Sequence, residues 1–526
     1  MKRLIFFAAV LLAALSCGTE KQQEALPRAM VLSVTIDGRP VLDGSSVSGI
    51  SLSPRIVVEF SREITVDAVS LAVLAFNGPE LRGEVDAPEA SVLVLTPSEP
   101  LSPLRKYGLG ITAGESFGVD LVEGFSFSFT TTYDTSDKFP RISDEELFDK
   151  VQRAAFDYFW DYAHPVSGLA RERLGSGETV TTGGSGFGLM AIIVGIERGW
   201  ISREEGAQRM LTIVRFLKGA ERLHGAWPHW MDGTTGNVKA FSTKDDGADL
   251  VETAFMVEGL LAARQYFTGT DAVETEIRST VKTLWEEVEW TWFQQGGQKV
   301  LYWHWSPTYN WQMNMQIKGW NEALMVYVLA ASSPTYPITK EVYDKGWNGT
   351  DSYNFKNPLF FVHYSFLGLD PRGLKDSYAD YWEQNCRHVR TNYEYCVNSK
   401  AGYGYSAECW GLTASDYYKG YIASSPANDT GTVAPTAALA SFPYMPEEAM
   451  AAMKFFYYTL GDKLWGPYGF YDSFALKERW FATSYIAIDQ GPIVVMMENY
   501  RSGLLWDIFM RDEDVLRGLA ALGFTR

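Results

Sequence analysis

The sequence predicts two folds in one chain, a small β-sandwich followed by an all-α (α/α)6 toroid, and two patterns carry that prediction. Between residues 30 and 132, apolar and polar side chains alternate with period two between Gly, Pro and Asp turns. Examples are Arg55-Ile56-Val57-Val58-Glu59-Phe60, Ser91-Val92-Leu93-Val94-Leu95 and Phe125-Ser126-Phe127-Ser128-Phe129. Short strands at that spacing make an antiparallel sandwich. Beyond residue 141 the period becomes helical, and an apolar run paired with a more amphipathic helix recurs about six times.

The apolar runs are Phe187 to Ile196, Ala248 to Ala262, Trp320 to Ala331, Leu359 to Leu367, Val433 to Phe442 and Ile493 to Tyr500. Helices apolar nearly all round belong inside. Their amphipathic partners are Glu145 to Tyr162, Arg203 to Leu217, Asp271 to Phe293, Leu374 to Val389, Pro446 to Leu460 and Glu513 to Leu522, which make an outer ring. Ser143-Asp144-Glu145-Glu146 opens the first of these with a capping box. Concentric rings of this kind gather the inner-helix ends around one mouth, where a cleft is expected.

The chain divides into residues 1–28, 29–132, 133–141 and 142–526: a leader with its tether, the β unit, a polar linker and the helical unit. Lys2 and Arg3 precede an apolar Leu4 to Leu15, too short for a permanent membrane span. Ala14-Leu15-Ser16-Cys17-Gly18 resembles a bacterial lipoprotein cleavage box, with Cys17 as the lipid-bearing residue and Lys21 to Pro27 as a tether. The expectation is an exported, membrane-anchored monomer, periplasmic or at the cell surface.

Composition narrows the partners. With 46 basic and 64 acidic residues the net charge is −18, a surface that repels phosphate backbones, so nucleic acid is not expected to bind. Aromatic residues reach 14%, enough to supply flat platforms in a cleft as well as a core. After Cys17 the remaining cysteines are Cys386, Cys396 and Cys409, which leaves a 386–396 bridge and free buried thiols both open. The six His are scattered without Cys-x-x-Cys or His-x-x-x-His spacing, so neither a metal nor a cofactor is expected.

Acids cluster at the starts of the inner runs. Asp245, Asp249 and Glu252 are four and three residues apart and share one helix face. Asp245 and Asp246 read as caps, whereas Asp249 and Glu252 fall deeper in an apolar helix. Glu322 follows Gly319-Trp320-Asn321 and precedes an uncharged run, so a lone carboxylate there needs a reason, and Asn321 is available to cap. Glu322 is the first choice for a general acid. Asp472 in Gly469-Phe470-Tyr471-Asp472 and Asp489 in Ile488-Asp489-Gln490-Gly491-Pro492 are candidates to hold a water, with turn capping as their bland alternative. Trp227, Trp230, Trp303, Trp305, Trp320, Trp410 and Tyr471 are candidate sugar platforms. Gly183-Gly184-Ser185-Gly186-Phe187-Gly188 lacks the Lys and the strand of a phosphate loop and reads as close helix packing or a flexible rim. Glu59 and Glu63 read as solvated strand residues.

Two resemblances add to this reading. Pro54 to Arg62, Leu101-Ser102-Pro103-Leu104 with Tyr107, and Phe127 to Thr131 resemble bacterial Ig-like domains, which implies a spacer or docking role. Phe156 to Trp160, Gly183 to Phe187, Ala248 to Thr253, Gly319 to Glu322, Gly404 to Trp410 and Ile488 to Pro492 resemble the bacterial glycoamylase-like family, over residues 140–526. That family includes inverting endo-β-1,2-glucanases on an (α/α)6 fold. The resemblance implies a catalytic acid at Glu322, with Asp249, Glu252, Asp472 and Asp489 around the same pocket and a neutral oligo- or polysaccharide as substrate. The alternatives are a glycan-binding lipoprotein without catalysis and an (α/α)6 polysaccharide lyase, which would want a basic cleft for its uronate.

Overall fold

The computed structural model describes residues 25–66, 74–76, 83–347 and 353–526. Cys17 and the export segment lie outside the described residues. Among those described, no helix is long and apolar enough to cross a membrane. The chain divides into two units, Met1–Thr132 and Tyr133–Arg526.

In the first unit a five-stranded antiparallel sheet runs in the order Arg39–Val41, Val31–Ile36, Ile56–Phe60, Val92–Pro97, Gly83–Glu89. A four-stranded sheet runs Ser46–Ile50, Phe125–Thr131, Lys106–Ile111, Leu74–Phe76, with its first pair parallel. Period-two alternation sends Val34, Ile36 and Val58 from one sheet and Leu109, Phe127 and Phe129 from the other into a single apolar core. Glu59 points the other way, exposed, and accepts the Ser33 hydroxyl at 3.0 Å.

The second unit is a helical toroid. In chain order its main helices are α1 (Asp144–Trp160), α2 (Thr182–Glu197), α3 (Arg203–Gly219), α4 (Leu250–Tyr266), α5 (Ala272–Glu286), α6 (Leu324–Ser332), α7 (Lys340–Gly346), α8 (Tyr381–Asn398), α9 (Pro435–Leu439), α10 (Pro446–Lys454), α11 (Ala487–Ser502) and α12 (Glu513–Leu522). Ser143 with Glu146 and Ser202 with Glu205 form reciprocal capping boxes, so α1 and α3 start where the side chains satisfy otherwise orphaned N–H groups. α2, α4, α6 and α11 are buried along almost their whole lengths, and α11 packs on α2, α2 on α4 and α4 on α6. α1 covers α2 and α11 from outside.

The ring departs from regularity in two inner positions. Leu359–Val362 and Tyr364–Phe366 are 3-10 turns, and α9 is five residues long. Backbone donors there bond outside the segment: Leu359 N–H to the Leu412 carbonyl, Phe360 N–H to the Thr413 hydroxyl and Gly368 N–H to Glu258. A chain whose N–H groups are taken by neighbours has no need of i→i−4 bonds. The outer slot beside α6 is filled by α12 from the far end of the chain.

One expectation needs correction, and the choice left open for the cysteines is decided. Tyr133 to Arg141 is no free linker, because Phe139 stacks on Tyr457 at 4.6 Å and Tyr133 meets Phe455 edge-on at 5.4 Å. Cys386 and Cys396 are free thiols ten residues apart on one helix, about 15 Å by helical rise and beyond bridging distance. Cys409 is also free.

The Gly-rich stretch serves packing. A Cβ on Gly186 would lie 2.1 Å from the Phe255 carbonyl oxygen, and one on Gly259 would lie 2.2 Å from that of Gly186, so the α2 and α4 backbones touch. Gly186→Ala must therefore push two inner helices apart and is expected to cost about 3 kcal/mol. Gly219→Ala, at a helix end with open space around it, is expected to be neutral or slightly stabilising. Urea unfolding followed by Trp fluorescence checks the contrast.

Candidate active site

The inner helices open onto a cleft of about 430 Å³ lined by three carboxylates, Glu172, Glu252 and Glu322, with Arg173 and His229. Trp230, Trp303, Phe241, Phe360, Tyr364 and Tyr421 supply its aromatic wall.

Glu322 sits in the turn that leads into α6 rather than in the helix itself. Asn321 shapes that turn, its Oδ1 accepting the Ala323 N–H at 2.9 Å, while the N-cap position of α6, Ala323, has no side-chain cap. Burial, reinforced by the charges of Glu252 and Asp249, raises Glu322 to about 7, so it holds its proton close to neutrality.

Glu252 lies in the first turn of α4 and accepts the Gly183 N–H of α2 at 2.7 Å. Burial also raises its pKa, against the favourable charge of His229. Asp249, expected among the catalytic acids, is the N-cap of α4. One oxygen accepts the Val251 and Glu252 N–H groups at 3.0 Å, and the other meets His229 Nδ1 at 3.0 Å. The cap falls on Asp249, not Asp245 or Asp246, because Ala248–Asp249 pairs as a short strand with His304–Trp305 and the helix starts only after it. Asp245 instead meets His304 Nε2 at 3.2 Å, and His304 lies 3.6 Å from Asp249. Burial disfavours a charged His229, but Glu252, Asp249 and Asp245 outweigh it and lift His229 to about 9.

Asp472 and Asp489 do not line the cleft, and their carboxyls interact with each other. Burial first pushes both upward, helped by the Asp416 charge at Asp472 and by the Asp472 and Asp416 charges at Asp489, as expected of a carboxyl pair sharing one proton. Asp472 accepts the Asp416 N–H at 2.7 Å, and Asp416 pairs with Arg173 at 2.9 Å.

Of the proposed platforms, Trp230 and Trp303 line the cleft. Trp227 and Trp410 do not, being fully buried with their indole N–H groups given to the Leu217 and Glu448 carbonyls. Their loops fold inward, and a buried indole cannot stack on sugar. Trp320 packs on Trp347 and Tyr353, Tyr471 on Tyr485, and Trp305 on His224 and Trp292, outside the cleft lining. Sequence reasoning missed His229 and His304, each of which stands beside Trp residues that it did single out. Arg173, Tyr364 and Tyr421 carried no signal.

A profile of the glycoamylase family, described as "Putative glucoamylase", matches residues 314–513. The solved endo-β-1,2-glucanase of Chitinophaga pinensis is 51% identical with a TM-score of 0.72, covering 73% of this chain and 99% of that one. The chain belongs to the glycoamylase-like family. A β-1,2-glucanase structure from Parabacteroides distasonis is 36% identical with a TM-score of 0.71, covering 95% of this chain and 73% of that one. An exo β-1,2-glucooligosaccharide sophorohydrolase of the same organism is 45% identical over 416 residues, 72% of this chain. This glycoamylase-like chain spans 58% of that relative's length.

His229, Asp245 and Asp249 have ligand-type atoms within 4.8 Å of one another, the spacing of a metal site. A metal there would have to displace the proton that the field of three carboxylates holds on His229. The three side chains already interact as ion pairs with one another and with His304. Dialysis of this glycoamylase-like protein against a chelator is expected to leave turnover of its substrate unchanged.

Proposed function

We propose that the protein is a glycoside hydrolase that cleaves β-1,2-glucan with inversion, Glu322 acting as general acid and Glu252 as general base. The observation that carries this reading is a cleft with a carboxyl that stays protonated to about 7 and a second carboxylate held opposite a cationic His229. Three relatives that hydrolyse β-1,2-glucans or their oligosaccharides support the linkage. Glu322 gives its proton to the glycosidic oxygen as the bond to the anomeric carbon breaks. Glu252 takes a proton from a water whose oxygen forms the new bond from the opposite face, releasing a sugar of inverted configuration. Trp230 and Trp303 offer ring faces to the sugars, and a neutral glycan suits an acidic protein. In the same reading the β unit is an Ig-like sandwich serving as spacer, and lipid on Cys17 tethers the exported chain.

Glu322→Gln is expected to lower kcat on β-1,2-glucan by about 10³. It should act far less severely on an aryl sophoroside, whose leaving group needs no proton. Glu252→Ala should be rescued by azide with a glycosyl azide of inverted configuration. Rescue of Asp489→Ala instead would move the base to Asp489, and wild-type turnover surviving Glu322→Gln would remove the acid.

The pH profile follows from the same pair. Activity needs Glu322 protonated and Glu252 ionised, so kcat/KM for a sophoro-oligosaccharide should fall as pH rises through about 7. It should also fall on the acid side at a pH above the usual glutamate value, because burial raises Glu252. A narrow bell is expected from initial rates across that range.

A further inference from the structure

The three-tryptophan cluster outside the cleft has no part in the mechanism above. Trp292 is 39% exposed and stacks on His224 at 3.6 Å with a 12° tilt. Trp305 stands edge-on to both, 5.0 Å from His224 and 6.0 Å from Trp292, and Trp311 follows at 6.3 Å from Trp292. Core packing does not require an indole at the surface, and its bare face is costly in water.

The backbone around these rings is held in an unfavourable shape. His224, Gln295, Asn310 and Asn314 have φ of 54°, 47°, 52° and 47°, half of the eight described non-glycine residues with positive φ. They lie in the three loops that present the rings. Asn enters that region readily, whereas His224 and Gln295 are strained there, and such strain persists where neighbours enforce it and collects at working surfaces. Glu289 enforces it here, meeting His224 Nδ1 at 2.9 Å and giving its own N–H to the His224 carbonyl at 3.0 Å.

The cluster also continues the cleft. Trp303 lines the cleft at a bend, and Trp305 lies two residues on in the short strand His304–Trp305. Two residues of chain reach at most about 7 Å, comparable to one sugar ring, so the cluster begins next to the cleft wall. Exposed Gln312 and Asn314 beside the rings offer neutral hydrogen-bonding groups. Uncharged rings and amides fit an uncharged glycan.

We propose that Trp292, Trp305 and Trp311 form an accessory platform that holds the part of a long β-1,2-glucan chain extending beyond the cleft. This rests on the hydrolase reading. The platform adds binding for polymer and little for short oligosaccharides, which end before they reach it.

The test compares KM for long β-1,2-glucan with KM for sophorotetraose in the full chain and in its Trp292→Ala and Trp311→Ala variants. The expected result is a rise of about tenfold in the polymer-to-tetraose KM ratio with kcat nearly constant, and recovery of most of the loss in Trp292→Phe. An unchanged ratio, or a parallel fall of kcat on both substrates, overturns the platform. Wild-type protein inactive on both substrates would instead defeat the hydrolase reading itself.

Discussion

Inner helices that are apolar all round leave their first N–H groups as the polar feature of the mouth, and those groups must be satisfied. That constraint organises the site. α2 and α4 touch backbone to backbone at Gly186 and Gly259, so their N-terminal ends lie side by side. Glu252 of α4 reaches the Gly183 N–H of α2, while Asp249 caps its own helix. Acids collect at the mouth because helix starts attract negative charge, and burial then makes those acids chemically useful.

Neighbouring charge separates the acids by role. His229 and His304, and after them the N–H groups that Asp249 caps, hold its pKa down despite burial. Burial acts on Glu322 against only a bond from its own backbone N–H, and raises it. One sits protonated in the cleft and the other stays ionised beneath it. The difference arises mainly from the two imidazoles beside Asp249, which have no counterpart among the groups that act on Glu322.

This explains what was legible in the sequence. Periodicity exposed the two units and the inner helices, because burial on all sides writes itself as an uninterrupted apolar run. It overstated the stretch at Leu359 to Leu367, which is as apolar as the others but spends its first N–H groups on Leu412 and Thr413 and closes only 3-10 turns after them. Glu322 was legible as a lone charge in an apolar context. The tryptophans were not, since Trp227 and Trp230 are three residues apart yet one is core and the other cleft wall. Tyr364 and Tyr421 approach the cleft only through tertiary folding, and nothing in their local sequence marks it.

The histidines complete the charge balance. Asp245, Asp249 and Glu252 would bring three buried negative charges to one helix start, a costly arrangement without compensation. His229 and His304 supply it, His229 between Asp249 and Glu252 and His304 between Asp245 and Asp249. The short pairing of Ala248–Asp249 with His304–Trp305 is what brings His304 there, and it also fixes the segment that carries Trp303 into the cleft. A single two-residue strand pair thus sets the cap of α4, the counter-charge of its acids and the position of one aromatic wall. Altering the loop that carries Trp303 to Trp305 must disturb electrostatics and sugar contact together, because one backbone ladder holds both.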